Sequence, residues 1–352
     1  MYAGWIFHFI LSMSLLAAIG GQLFDRGWSP ASNLLISGSK SIQRYITYSD
    51  SVSAGAVTAM KECRRRFLWD RWNCPEGSLA LLNEPLPTRE MSFVHAISSA
   101  GVMYSLTRNC SLGNFENCGC DEAKRGGKEG GDGWQWGGCS DNIKFGERIS
   151  KVFVDGMEQG EDALALMNLH NNDIGRKAVR QTLNRRCKCH GVSGSCSIQT
   201  CWDQLGAFDI IGEALRKRYE TAVLVDYING NLFPTDIKPK EAKDAEPVDK
   251  SDLVFLELSP NYCQLNSTIG AVGTLDRECL RGRGGDEVTE WEARSCKRLC
   301  TSCGLGVRRT KVVVSSSCNC KFHWCCEVQC ETCTREVTKL TCARKSETRT
   351  RR

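Results

Sequence analysis

Two short stretches concentrate the side chains able to do chemistry. The first is Cys187-Lys188-Cys189-His190-Gly191-Val192-Ser193-Gly194-Ser195-Cys196, with Cys201 following. Four cysteines in nested order within fifteen residues suit a hairpin crosslinked twice, with a glycine-rich tip that is rigid at its base and exposes Ser193. Other chemistries fit parts of the same segment. Cys187, Cys189, His190 and Cys196 could ligate zinc, although an oxidising compartment would convert those thiols to disulfides. Gly191-Val192-Ser193-Gly194-Ser195 approaches a nucleophile elbow, but Ser195 stands where G-x-S-x-G needs glycine, and no strand-to-helix turn is evident. A plain structural hairpin satisfies the spacing as well.

The second stretch is Cys318-Asn319-Cys320-Lys321-Phe322-His323-Trp324-Cys325-Cys326-Glu327-Val328-Gln329-Cys330, again nested, with apolar Phe322, Trp324 and Val328 near its middle. Adjacent Cys325 and Cys326 must bond to each other or find separate partners. Aromatics at a crosslinked tip form either an exposed contact patch or a fold back into the core, and spacing does not choose between them. Asn109-Cys110-Ser111 and Asn266-Ser267-Thr268 are N-glycosylation sequons, Asn266 being the cleaner because Cys110 competes through its own crosslink. His95 and His170 read as helix residues, and no phosphate loop, HExxH or paired-carboxylate pattern occurs. The residues give an enzyme little support.

The elements that position these stretches follow from composition and periodicity. The chain has 352 residues, 22 of them cysteine, although that length can bury a core without so many crosslinks. Charged residues make up 25% and hydrophobic residues 41%, so the chain is globular. The net charge of +5 is mild and gathers in the tail 344–352, which argues against nucleic acid as partner; the tail reads as a solvated, frayed terminus or as a run that holds polyanionic glycans such as heparan sulfate. Residues 1–21 carry the apolar run Trp5 to Ile19 followed by small residues, which reads as a signal peptide despite lacking Lys or Arg before it.

Ten cysteines fall between Cys63 and Cys201, none between Trp202 and Tyr262, and twelve between Cys263 and Cys342. Apolar spacing predicts helices over Val52 to Phe67, Arg89 to Arg108, Ile143 to Met157, Glu161 to Arg186 and Asp203 to Leu224. Asn229 to Lys250 is polar with three prolines and reads as a linker. Leu253 to Leu258 reads as a strand, and the rest as β-hairpins and loops held by cystines. The expected class is α+β: a helical N-terminal domain over 22–228, a linker over 229–250, a cystine-rich C-terminal domain over 251–343 and a basic tail over 344–352.

Together with Arg71-Trp72-Asn73-Cys74, Trp136-Gly137-Gly138-Cys139-Ser140-Asp141-Asn142 and Cys201-Trp202, both stretches resemble the Wnt family of secreted, lipid-modified signalling glycoproteins. The resemblance spans about residues 50 to 342, and Phe93 to Tyr104 is most similar to the eighth class of that family. It implies no catalytic residue, metal or cofactor. Instead, Ser193 would carry a monounsaturated fatty acyl ester, added in the endoplasmic reticulum by a membrane acyltransferase, and a membrane carrier would escort the product to the extracellular space and matrix. The first hairpin would present the lipid like a thumb, and the second would act as an index finger. Both would grip the cysteine-rich domain of a Frizzled receptor through Lys188, Val192, Ser193, Phe322, Trp324, Cys325, Cys326 and Val328. A further surface would recruit a lipoprotein-receptor-related co-receptor. Family pairing would join Cys63 to Cys74, Cys110 to Cys118, Cys120 to Cys139, Cys187 to Cys201 and Cys189 to Cys196. It would also join Cys263 to Cys303, Cys279 to Cys296, Cys300 to Cys342, Cys318 to Cys333, Cys320 to Cys330 and Cys325 to Cys326.

Overall fold

The computed structural model describes residues 39–348 apart from 76–85, 125, 132, 159, 161, 238–245, 283–287, 325 and 326. The expected signal peptide and the pair Cys325 and Cys326 lie outside the described residues. The fold is α+β and divides into two units, Met1–Arg66 with Glu76–Ser259, and Phe67–Pro75 with Pro260–Arg352.

In the first unit α1 (Ser39–Phe67), α2 (Arg89–Ser111), α3 (Ile143–Val154), α4 (Ala163–Gln181) and α5 (Phe208–Glu220) supply the body. Helix α2 is its axis. It is buried on every side, down to Ser92, His95 and Ser99, so its sequence shows a helix without a one-sided apolar stripe. Its neighbours come close by offering glycine. A Cβ on Gly55 of α1 would strike Gly101 O, one on Gly146 of α3 would strike Thr107 Oγ1, and one on Gly175 of α4 would strike Ala96 O. Polar groups in this interior are bonded across helices: Ser99 Oγ donates to Asn172 O at 2.7 Å, and fully buried Arg176 donates to both Asp155 oxygens at 2.8 and 2.9 Å. Between α1, α2 and α3, Tyr48 meets Phe115 and Phe145 edge to face at 4.9 and 5.6 Å, adding about 1 kcal/mol per pair beyond area burial.

Between these helices lie β1 (Glu129–Gly131), β2 (Trp134–Trp136), β3 (Leu183–Cys189) and β4 (Gln199–Leu205), in the sheet order β1-β2-β4-β3. Two helix boundaries differ from the periodicity. Helix α4 ends at Gln181 rather than running to Arg186, because Leu183 onward pairs with β4. Asp203 to Leu205 likewise completes β4 before α5 begins at Phe208. Local helical spacing yields in both places to pairing across the hairpin.

The expected linker is also built differently. Strands β5 (Val223–Ile228) and β6 (Asn231–Pro234) form a hairpin, and β7 (Val254–Phe255) pairs parallel to β5. Asn171 of α4 holds β7 by donating to Val254 O at 2.9 Å and accepting from Val254 N–H at 3.0 Å. Val225, Leu232 and Val254 pack with Met167. The chain therefore leaves the first unit after Ser259, not at 229–250: Leu232 and Phe233 are apolar enough to be buried despite the flanking prolines.

The second unit contains the short pairs β8 (Leu265–Asn266) with β9 (Ala271–Val272), then β10 (Glu278–Cys279), α6 (Glu290–Ala293), α7 (Ser295–Leu299), the long strands β11 (Gly306–His323) and β12 (Glu327–Ala343), and α8 (Lys345–Thr348). Its sheet order is β10-β12-β11. The core is small and half sulfur: Leu299 sits with the bonds Cys279–Cys296 and Cys300–Cys342, and Trp69, Leu305, Val307 and Leu340 pack against them. The Sγ atoms of Cys279, Cys300 and Cys342 cluster closely, but all three are consumed in these disulfides. Residues 67–75 dock here. The Arg277 guanidinium donates to Leu68 O and Arg71 O, both at 2.8 Å, Arg71 reaches Ser302 Oγ at 3.1 Å, and Phe67 meets Trp72 edge to face at 4.8 Å.

Candidate functional site

The first candidate site grows from β3 and β4. They pair antiparallel in register from Leu183 opposite Leu205 to Cys189 opposite Gln199, which sets Cys187 directly across from Cys201. Those two are bonded, as is Cys189, in the last ladder pair, to Cys196 in the turn. With both thiols of each pair oxidised, no thiolate set remains for zinc at this hairpin.

Above the crosslinks the tip is a single tight turn. His190 N–H donates to Ile198 O and Gly191 N–H to Ser195 O, both at 2.8 Å, and Gly194 N–H closes back on Gly191 O at 2.9 Å. Ser193 sits at the apex with φ 57° and ψ 27°, a left-handed conformation that disfavours most side chains. It is followed by Gly194 at φ 78°. Ser193 is exposed, and its hydroxyl hydrogen-bonds no described residue. Val192 beside it is 90% exposed, Ile198 is 62% exposed, and Lys188 projects from the stem. The turn thus holds one unengaged hydroxyl at the outermost point of a stiff hairpin, flanked by apolar surface.

The base of this hairpin contains residues whose roles sequence spacing did not reveal. Strand β2 runs parallel to β4, bringing Trp134 and Trp136 opposite Gln199 and Cys201. The Arg185 guanidinium lies over both indoles, 4.2 Å from Trp134 and 5.3 Å from Trp136. Lys124 covers Trp136 at 5.3 Å and pairs with Asp203 at 2.5 Å. The segment Trp136 to Asn142 is the seam: Gly137 N–H donates to Cys201 O at 3.0 Å, and the Asp141 carboxylate accepts from Leu205 N–H at 2.7 Å. A Cβ on Gly137 would strike the Thr200 methyl. Only the pairing partner explains that glycine, so no local signal could have found it.

The second candidate site is the tip of β11 and β12. Their ladder runs from Gly306 opposite Ala343 to His323 opposite Glu327, interrupted by a bulge between Cys318 and Lys321, where Asn319 takes φ 47°. Cys318–Cys333 clamps the strands just before the bulge and Cys320–Cys330 clamps them within it. Beyond the clamps Phe322 stands directly across from Val328. Phe322 is 72% and Trp324 96% exposed, and Val328 is exposed with them. The aromatics therefore form an exposed patch and do not return to a core.

Of the remaining predicted residues, Cys110–Cys118, Cys120–Cys139 and Cys263–Cys303 are bonded, and Cys63 and Cys74 are each in a disulfide. The two sequons differ in kind. Asn109 lies within α2, half-buried, and its amide nitrogen donates to Ser51 Oγ at 2.7 Å. Asn266 is exposed at a turn where its oxygen accepts from Thr268 N–H at 3.0 Å and Thr268 Oγ1 at 2.6 Å. Among the described residues, no helix is long and apolar enough to cross a membrane.

Comparison with known proteins agrees with this geometry. The sequence pattern of the Wnt family matches residues 32–343. Protein Wnt-8c of Gallus gallus is 52% identical over 341 residues, 95% of this chain and 94% of that protein. Protein Wnt-8 of Xenopus laevis is 54% identical over 90% of this chain and 88% of its own, and Protein Wnt-8a of Homo sapiens is 53% identical over 90% of each. A chain in the solved structure of human WLS in complex with WNT8A shares 50% identity and a TM-score of 0.67, covering 90% of this chain and 100% of that one. The family comprises signalling ligands and not enzymes, and the relatives are of the eighth class, as Phe93 to Tyr104 implied. With a family match across nearly all described residues and two crosslinked hairpins in place, the chain belongs to the Wnt family.

Proposed function

We propose that the chain is a secreted morphogen that grips Frizzled cysteine-rich domains with an acylated Ser193 and the apolar tip at Phe322, Trp324 and Val328. A second surface would engage a lipoprotein-receptor-related co-receptor. The observation that carries this reading is Ser193 itself, exposed, unengaged and held at the apex of a doubly crosslinked turn. A fatty acyl chain of about 16 carbons entering an apolar groove contributes about 10 kcal/mol gross at ~0.8 kcal/mol per CH₂, before ordering costs. The lipid thus supplies most of the affinity, while Lys188, Val192 and the finger, whose sequence continues from Trp324 into Cys325 and Cys326, add shape and selectivity.

The route follows from the same chemistry. An acylated tip is poorly soluble in water, so a membrane acyltransferase and a membrane carrier in the secretory path fit it. The likeness to the WNT8A-type chain solved with human WLS supports the carrier. Asn266 is the better glycan acceptor, since the Asn109 amide is occupied by Ser51. The basic tail would hold heparan sulfate in the matrix.

The test is peptide mapping of the secreted protein around Cys189 to Cys196, combined with binding to a Frizzled cysteine-rich domain. A stable acyl mass on Ser193, and loss of both mass and binding in Ser193→Ala with the disulfides intact, is the expected result. Full binding by an unacylated protein would overturn the reading.

A further inference from the structure

The thumb tip carries three serines within five residues, Ser193, Ser195 and Ser197, and nothing in their residue type says which one an acyltransferase would modify. Their surroundings differ. Acyl transfer from a thioester forms the Oγ–acyl bond and breaks the acyl C–S bond, the hydroxyl proton going to the released thiol. It therefore needs an oxygen that can be approached and is not already committed. Ser193 Oγ has no described partner and stands on a left-handed apex. Ser195 is instead extended, at φ −61° and ψ 151°. Its Oγ is folded so closely over the Gly191 backbone that a Cβ at residue 191 would collide with it. Its carbonyl accepts from Gly191 N–H at 2.8 Å, and its Oγ lies 3.1 Å from Ser197 Oγ in a mutual hydrogen bond.

We propose that the Ser195–Ser197 hydroxyl pair, laid against Gly191, determines which serine is acylated by withholding Ser195 and leaving Ser193 as the only acceptor at the tip. Ser197 acts here as a positioning residue: it touches neither the acyl donor nor the reacting oxygen. The proposal rests on the acylation of Ser193 and sharpens it to positional selectivity.

The experiment is acyl-site mapping by tandem mass spectrometry of the full chain secreted from cells that acylate it, with Cys189–Cys196 bonding checked in the same digests. Wild type should carry acyl on Ser193 alone. Ser193→Ala should carry none on the tip, because Ser195 remains engaged. Ser193→Ala combined with Ser197→Ala should acquire acyl on Ser195, and Ser193→Ala with Ser197→Thr, which keeps a hydroxyl, should return to none. Acyl on Ser195 in Ser193→Ala alone overturns the proposal, as does a Ser193→Ala/Ser197→Ala tip that keeps its disulfide and stays unacylated. A wild-type tip without any acyl mass overturns this proposal together with the reading on which it rests, whereas acyl on Ser193 with the wrong variant pattern overturns the proposal alone.

Discussion

Thumb and finger are both hairpins closed by two nested disulfides, yet they stand in opposite surroundings. The thumb's β4 is flanked by β3 on one side and β2 on the other, and its base is anchored by Asp141 and capped by Arg185 over two indoles. The finger is a two-stranded ribbon of 17 to 18 residues per strand, about 55 Å long. Among the described residues only β10 joins it, at Leu340 and Thr341. An isolated two-stranded ribbon is marginal in water. Crosslinks therefore do different things in the two places: in the thumb they trim a turn that a sheet already supports, and in the finger they replace a sheet that is not there.

The largest test of the contrast concerns binding. Ser193→Ala should weaken Frizzled binding by at least about a thousandfold, whereas Trp324→Ala, a single anchor, should cost about 2 kcal/mol, roughly thirtyfold. Equal losses in titration calorimetry would break the idea that the thumb carries affinity and the finger selectivity.

The two units should also part company in acid. His95 in α2 is fully enclosed, and burial pushes its imidazole down to about 4. His170 in α4 is lowered by burial too. A histidine whose folded value lies below its unfolded one stabilises fully above about 6.5, and that stability is lost as pH falls toward 4. His95 alone accounts for about 3 kcal/mol by pH 4. Burial holds Glu158 above its ordinary value, which returns part of that loss in acid. Denaturation followed by probes in each unit at pH 7 and pH 4.5 should show the first unit losing stability, and His95→Gln should flatten its slope. Parallel losses in both units would count against this.

Removing a clamp gives the next effect. The loops closed by Cys187–Cys201 and Cys318–Cys333 span 14 and 15 residues, so each bond restricts the unfolded chain by a similar amount, about 3 kcal/mol. In hydrogen exchange, Cys318→Ser with Cys333→Ser should open the finger tip by nearly that full amount. Cys187→Ser with Cys201→Ser should leave β4 protected through β2. If β4 opens as readily as β12, the sheet does not support the thumb as described.

The smallest effect should come from Trp136→Ala, about 1 to 2 kcal/mol by thermal melting, from lost stacking with Arg185 and Lys124. A neutral result would leave the thumb's base held by the β2–β4 ladder and Asp141 alone, without support from the cation–indole stack.

What was legible in the sequence tracks how local its cause is. The nested cysteines around Gly191 and around Phe322 announced two crosslinked tips, because the ladder partners lie within a few residues of each other. The exposure of Trp324 was not legible, since nothing in the spacing distinguishes a tip from a fold-back. Helical spacing continues through Asn184 to Arg186 past the end of α4, because the strand there is set by Gln204, Asp203 and Trp202 across the hairpin. The packing roles of Arg277, Asn171 and Gly137 are not legible, because each acts on a carbonyl, an amide or a methyl far away in sequence.

The docking of residues 67–75 onto the second unit has a consequence for how the chain is made. Arg277 and Ser302, which receive this segment, leave the ribosome some 200 residues after it. Throughout that interval Trp69, which packs on the cystine core around Leu299, has no native seat, while the helices around α2 are already available to fold. The second unit is therefore incomplete until translation is nearly over, and a protein halted before Arg277 leaves this early apolar strip uncovered for chaperones to find.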